Sequence, residues 1–175
     1  MKVTMKMSDK GMGGHQSAAM KHDEWLTPPN ILNCLGTFDL DPCAPITRPW
    51  EIAKNHYTSA DDGLRLPWSG RVWLNPPYGR NIAKWMMRMA EDNHGIALIF
   101  ARTETAAWND WIWPYAAAFL FIRGRVFFYR NNGEKAGANS GAPSVLIAYG
   151  SEDADILKNC GIQGRFIKNT NANQT

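Results

Sequence analysis

Asn75-Pro76-Pro77-Tyr78 is the stretch of this sequence whose residue types combine into chemistry. A planar amine on an aromatic ring is a poor nucleophile, because its lone pair is delocalised into the ring. An enzyme that uses such an amine must accept its N–H bonds and draw the nitrogen toward tetrahedral geometry. The side-chain oxygen of Asn75 suits one of these bonds and the carbonyl of Pro76 the other. Two consecutive prolines, Pro76 and Pro77, fix the loop and remove competing N–H donors. Tyr78 supplies an aromatic face on which a base flipped out of a duplex regains part of its lost stacking. That chemistry is transfer of a methyl group to a ring amine, and it needs no metal. Asn and Pro are also plain turn formers, so the reading depends on which elements hold the loop.

Those elements are legible. Arg71-Val72-Trp73-Leu74 reads as a strand that runs straight into the loop. From Asn81 to Glu91 the apolar residues Ile82, Trp85, Met86 and Met89 recur at helical spacing, and Gly95 marks the stop. Ile96-Ala97-Leu98-Ile99-Phe100 is an apolar run suited to a strand buried on both faces. Strand, loop, helix and strand make a βαβ unit, so the loop sits outside the carboxyl end of a parallel strand, where open α/β sheets bind ligands. Upstream, Thr27-Pro28-Pro29 opens a short helix through Leu35, and Phe38-Asp39-Leu40-Asp41 reads as a strand stopped by Pro42. Downstream lie a Trp-rich helix over Ala106–Trp113 and strands Phe119–Ile122, Val126–Tyr129 and Val145–Tyr149, among which antiparallel members are expected. Residues Asn131–Pro143 read as a Gly-, Asn- and Ser-rich loop.

Composition sets the limits. The chain has 175 residues, 45% hydrophobic and 20% charged, enough for one domain with a sizeable core. We expect a flexible segment over 1–21, a single domain over 22–167 and a flexible tail over 168–175. No apolar run is long enough to span a bilayer and no signal peptide is evident, so the expected location is the cytoplasm. Cys34, Cys43 and Cys160 form no C-x-x-C pair, which argues for free thiols and against a structural zinc site. A net charge of +3 permits a polyanionic partner without demanding one.

Taken in order, Glu24-Trp25-Leu26-Thr27-Pro28, Phe38-Asp39-Leu40-Asp41-Pro42-Cys43-Ala44, Asp61-Asp62-Gly63-Leu64, Trp73 through Gly79, Ala101-Arg102-Thr103-Glu104-Thr105 and Ala142-Pro143-Ser144 resemble the phage-type DNA adenine-N6 methyltransferases of the Dam-like group over roughly residues 22–150. The resemblance implies a compact α/β, Rossmann-like methyltransferase fold with a mixed, mostly parallel sheet and an antiparallel edge. It also implies S-adenosylmethionine as donor and adenine in double-stranded DNA as acceptor. The Asp41-Pro42-Cys43-Ala44 segment then stands where related enzymes have a glycine-rich cofactor loop, and Asp41 faces the cationic methionine end. Asp39 is a second candidate, although alternation with Phe38 and Leu40 also fits a solvated strand face. Asp61 and Asp62 suit hydroxyls or the amine of a nucleoside, with Gly63 permitting close approach, and Asp-Asp-Gly is equally a common turn. Trp25 and Thr27 line the same pocket by resemblance, with a helix N-cap as the competing role for Thr27.

On the nucleic-acid side, Arg80, Lys84 and Arg88 recur every four residues along the helix after the loop, and Arg102 flanks a later strand end. They fit phosphate contacts, and they fit a solvated helix face equally well. Readout of sequence falls to short loops such as Asn131–Pro143. Monomer and homodimer are both compatible with the sequence. The competing functions are methyl transfer to RNA or to a protein glutamine amide, a metal-dependent nuclease using Asp39, Asp41, Asp61 and Asp62, and an inactive DNA-binding protein.

Overall fold

The computed structural model of the chain describes residues 25–172, so the expected N-terminal segment 1–21 lies outside the described residues. Among those described, seven strands form one sheet: β1 (Phe38–Asp41), β2 (Ala53–His56), β3 (Val72–Leu74), β4 (Gly95–Phe100), β5 (Ala118–Ile122), β6 (Ser144–Tyr149) and β7 (Gly164–Lys168), in the order β2-β1-β3-β4-β6-β5-β7. Helices α1 (Pro29–Leu32), α2 (Ile82–Asp92) and α3 (Ser151–Asn159) and a π-helical turn over Trp108–Ile112 accompany it. None of these helices is long and apolar enough to cross a membrane.

β1 pairs in parallel with β2 and β3, and β3 with β4. β6 runs antiparallel to both β4 and β5, so β5 points the same way as β1–β4, and β7 runs antiparallel to β5. The α/β class and the mixed sheet are as expected. One correction concerns the reversed strands: β7 forms an edge, but β6 is inserted between β4 and β5 inside the sheet.

Each strand alternates its side chains between two cores. Val72, Leu74, Ala97, Ile99, Val145 and Ile147 meet Trp85, Met86 and Met89 of α2 on one face. Trp73, Ile96, Leu98, Leu146 and Ala148 meet α1 and α3 on the other. Burial of α2's three large side chains contributes roughly 1.5–3 kcal/mol each, which ties the helix that follows the Asn75 loop to the sheet. The helix ends at Asn93 in the left-handed conformation, and β4 starts at Gly95, where a Cβ would stand 2.1 Å from the Val72 carbonyl oxygen. Only glycine lets β4 approach β3 so closely there.

Several expectations change. Thr27 caps nothing: the N-cap of α1 is Pro28, without a side-chain cap bond, and the helix is a single turn. The Trp-rich helix is a π-turn, Trp113 N–H donating to the Trp108 carbonyl at 2.9 Å, because that five-residue repeat sets Trp108 beside Trp113 at 4.7 Å and both against Phe119. Val126–Tyr129 is extended but joins no ladder; its Tyr129 bridges Leu26 and Lys135. The 131–143 loop is bonded back onto it, Ala136 N–H to the Phe128 carbonyl and Ser140 N–H to that of Val126, both at 2.8 Å. The tail expected from 168 begins inside β7, and Asn169 Nδ2 donates to the carbonyls of Trp113 and Ala116, each at 2.8 Å.

Candidate active site

β1, β3 and β4 end on one edge of the sheet, and the residues that follow them supply the site. Asn75 follows β3. Its Nδ2 donates to the Trp25 carbonyl at 2.8 Å, which fixes the amide so that the oxygen is the end left over. That Oδ1 is buried and accepts nothing from the described residues. A buried acceptor without a donor costs about 1–3 kcal/mol, so this atom could take a donor from outside the fold. Pro76 is buried and Pro77 exposed.

Cys43 locks the loop from the other side. Its thiol donates to the Asn75 carbonyl at 3.3 Å, and its N–H donates to Asp41 Oδ1 at 3.1 Å. The β1 end, the Asn75 loop and the Trp25 segment are therefore one hydrogen-bonded unit. Ala44 extends it structurally, its N–H donating to the Tyr57 carbonyl at 2.9 Å.

Asp41 is buried, and desolvation pushes its carboxyl up to about 7 against the lowering effect of the Cys43 N–H and the Arg48 charge. No cation among the described residues pairs with it. A folded-state pKa above the unfolded value means that the full contribution to stability is present below pH 4 and is lost as pH rises toward 7. Ionising this group inside the fold costs up to about 4 kcal/mol by that route. We therefore predict that urea stability falls between about pH 4 and pH 7 and that Asp41→Asn flattens this fall; an unchanged pH profile in the variant would contradict the assignment.

Tyr78 stacks on Phe100 with ring centroids 4.1 Å apart and planes at 10°. Its hydroxyl is buried without a partner, and burial raises its pKa above the usual phenol range. The two rings border a cleft of about 410 Å³ that also touches Arg80, Arg102, Thr105 and Trp108. Of the tetrapeptide, Tyr78 adjoins this open space, which is large enough for a nucleoside; Asn75, Pro76 and Pro77 do not line it. Phe100 went unnoticed in the sequence because it reads as the last apolar residue of a buried strand. Ser144, level with Phe100 across β4 and β6, adds another buried hydroxyl without a partner on this edge. So does Thr27, which is fully buried and two residues from the Trp25 carbonyl.

Other candidates are engaged elsewhere. Asp39 accepts from Lys54 Nζ at 2.7 Å and from the Arg71 N–H at 2.9 Å, clamping β1 to its neighbours, and these donors hold its pKa below the usual value. Both of its carboxylate oxygens are thus engaged within the fold. Asp61 caps its own turn through the Thr58 N–H and hydroxyl, both at 2.8 Å, and Asp62 pairs with Arg65 at 3.3 Å. Their turn nevertheless lies against the β1 end, since a Cβ on Gly63 would stand 1.9 Å from the Pro42 carbonyl oxygen. Among the described residues no three His, Cys, Asp or Glu side chains are placed to share a metal ion. The three cysteines are free thiols.

Of the four cations, Arg80, Lys84 and Arg102 are exposed, and Arg102 lies 5.9 Å above the Phe100 ring. Arg88 is taken up by structure: it donates to the Leu66 carbonyl at 3.1 Å, pairs with Glu91 at 3.7 Å and covers Trp68 at 5.4 Å. Its four-residue spacing from Lys84 gave no hint of this, because Trp68 reaches the helix from a different loop.

Comparison with known proteins matches this arrangement to a family. No solved structure matches the chain. A DNA N-6-adenine-methyltransferase of Escherichia phage T1 is 26% identical over 125 residues, covering 67% of this chain and 52% of the phage protein. The chain therefore spans about half the length of the curated relative it matches. The family model described as DNA N-6-adenine-methyltransferase (Dam) matches residues 14–158. The chain belongs to the DNA N-6-adenine-methyltransferase (Dam) family.

Proposed function

We propose that the protein transfers a methyl group from S-adenosylmethionine to the N6 amine of adenine in double-stranded DNA, acting in the cytoplasm through a Rossmann-like domain that spans residues 22–167 and onward through β7. The observation that carries this reading is the buried, donor-less Asn75 Oδ1, fixed by Nδ2 on the Trp25 carbonyl, three residues before Tyr78, which walls a cleft. Membership of the family and the location of the loop at the carboxyl end of a parallel strand point the same way.

The residues at the β1 end fit the donor. Asp41 is a buried carboxylate with no paired cation, and a ligand carrying ammonium and sulfonium charge favours its ionised form. Cys43 and the Asp61–Asp62 turn lie against the same strand end and Trp25 is bonded to the neighbouring Asn75 loop, which supports assigning them, together with Thr27, to the donor's pocket. When bound, S-adenosylmethionine supplies an electrophilic methyl group. The chain's own part is to present the amine: Asn75 Oδ1 and the Pro76 carbonyl accept its two N–H bonds, which localises the nitrogen lone pair toward the incoming carbon. Tyr78 and Phe100 give the extruded adenine a flat surface in place of its lost neighbours. Arg80, Lys84 and Arg102 hold the phosphates around the opening.

The test is mass spectrometry of nucleosides from unmethylated duplex DNA incubated with protein and S-adenosylmethionine. N6-methyladenine is the expected product. Label appearing instead in RNA or in protein glutamine would move the acceptor, and label in none of the three would remove the assignment.

A further inference from the structure

The segment between β5 and β6 leaves and re-enters the sheet at the same edge as Asn75, because β5 points the same way as β3 and β6 returns from that edge. It is a built strap. Val126 and Phe128 are buried against the α1 and α3 core, while Arg125 before them and Phe127 between them are exposed. Tyr129 pairs with Leu26 through two backbone bonds of 2.8 and 2.9 Å, and its ring meets Trp50 at 5.4 Å.

The outer face of the strap carries Arg123, Arg125, Arg130 and Lys135, all exposed and none in an ion pair among the described residues. Glu134 is the acid beside them. Phe127 is 38% exposed, and the Lys135 ammonium sits 4.6 Å over its ring. Continuing along the same edge come Arg102, Arg80 and Lys84. On the opposite edge the exposed acids include Glu91 at the end of α2 and Glu152 and Asp155 where α3 begins after β6. The cations of the strap together with Arg102, Arg80 and Lys84 outnumber the acids Glu104 and Glu134 beside them, which suits a polyanion laid across the strands' carboxyl ends.

We infer that the strap is a second DNA-contact surface, flanking the active-site cleft, in which Arg123, Arg125, Arg130 and Lys135 track phosphates and Phe127 packs on the sugar–base surface between them. This rests on the proposed DNA substrate. Anions alone would explain free cations; an exposed aromatic ring lying under one of them calls for a partner that offers flat apolar surface along with charge, which a nucleic acid does.

The experiment is anisotropy titration of a labelled mixed-sequence duplex at several salt concentrations. Arg125→Ser/Arg130→Ser/Lys135→Ser should reduce the slope of log affinity against log salt by about 2 to 3, one phosphate contact per lost cation. Phe127→Ser should weaken binding roughly tenfold with the slope unchanged, since stacking releases no counterions. Arg125→Lys/Arg130→Lys, which keeps the charge, should retain the parent slope and controls for folding. Parent affinity and slope in both disruptive variants, or loss of slope in the charge-conserving one, overturns the surface. Methyl incorporation by the unaltered protein is read separately: binding through the strap without methyl transfer to DNA would defeat the catalytic reading and leave the strap standing.

Discussion

Replacing Asn75 by Ala should lower kcat for methyl transfer by about 10²–10³ or more, the scale on which removing a single preorganised hydrogen-bond partner acts on a reacting group. Binding of S-adenosylmethionine, followed by calorimetry, should change much less than kcat, because the β1 end bonds the loop through the Asn75 carbonyl, while the Asn75 side chain is tethered to the Trp25 carbonyl. Asn75→Asp separates the two roles of the amide. It still accepts an N–H but cannot donate to Trp25, so the loop loses its anchor while the acceptor survives, and kcat should fall between the parent and Asn75→Ala. A parent-like kcat in Asn75→Ala would remove the mechanism at its root, whatever the product of the parent enzyme.

The second large effect is on stability. Arg71 Nε donates to Asp153 Oδ1 at 2.7 Å, with side-chain exposures of 11% and 0%. The same guanidinium donates through Nη1 to the carbonyls of Leu35 and Thr37 at 2.8 and 2.9 Å and lies 4.2 Å over the Phe38 ring. One side chain thus ties the α1–β1 turn, the start of β3 and the start of α3. Arg71→Met should cost about 3–5 kcal/mol, because it leaves a buried carboxylate without its cation, and should lower Tm by about 10 °C for a chain of this size. Burial already raises the Asp153 pKa against the lowering effect of Arg71. Without Arg71 the rise is opposed only by the His94 charge, so stability of the variant is retained at acid pH and lost as pH increases. Arg71→Met/Asp153→Leu should recover most of the loss at neutral pH. A single variant as stable as the parent would show the pair to be dispensable.

The sequence made the working part of this fold legible and concealed its margins, for physical reasons. β3, the Asn75 loop, α2 and β4 are read correctly because they are the most buried elements, where hydrophobic period mirrors geometry; the observed α2, Ile82–Asp92, is displaced by one residue from the expected helix. β2 and β7 each have a single neighbour and mostly exposed side chains, so Ala53-Lys54-Asn55-His56 and Gly164–Lys168 carry no alternation to find. α3 buries an aspartate where a pattern search wants an apolar residue. At the site, Asn75 and Tyr78 are candidates from residue chemistry, whereas Asp41 becomes one only through the family resemblance. The competition for Asp39 by Lys54, for Arg88 by Trp68 and Glu91, and for Asp61 by Thr58 depends on partners far away in the chain or on the turn's own geometry. Residue type says that a carboxylate can bind a cofactor; it does not say which carboxylate is already spoken for.

The position of β6 also governs how the molecule is assembled. β4 and β5 follow one another in the chain but never touch as strands, since β6, made later, lies between them. On the ribosome, a nascent chain that has emerged only through Ile122 has finished the Asn75 loop yet has nothing against which to lay β5. Closure waits for Ser144–Tyr149 to thread into the gap, a non-local step that folds slowly and leaves apolar edges open in the meantime. The Phe100 end of β4 and the strap that carries Phe127 are brought onto one edge of the sheet only when β6 arrives.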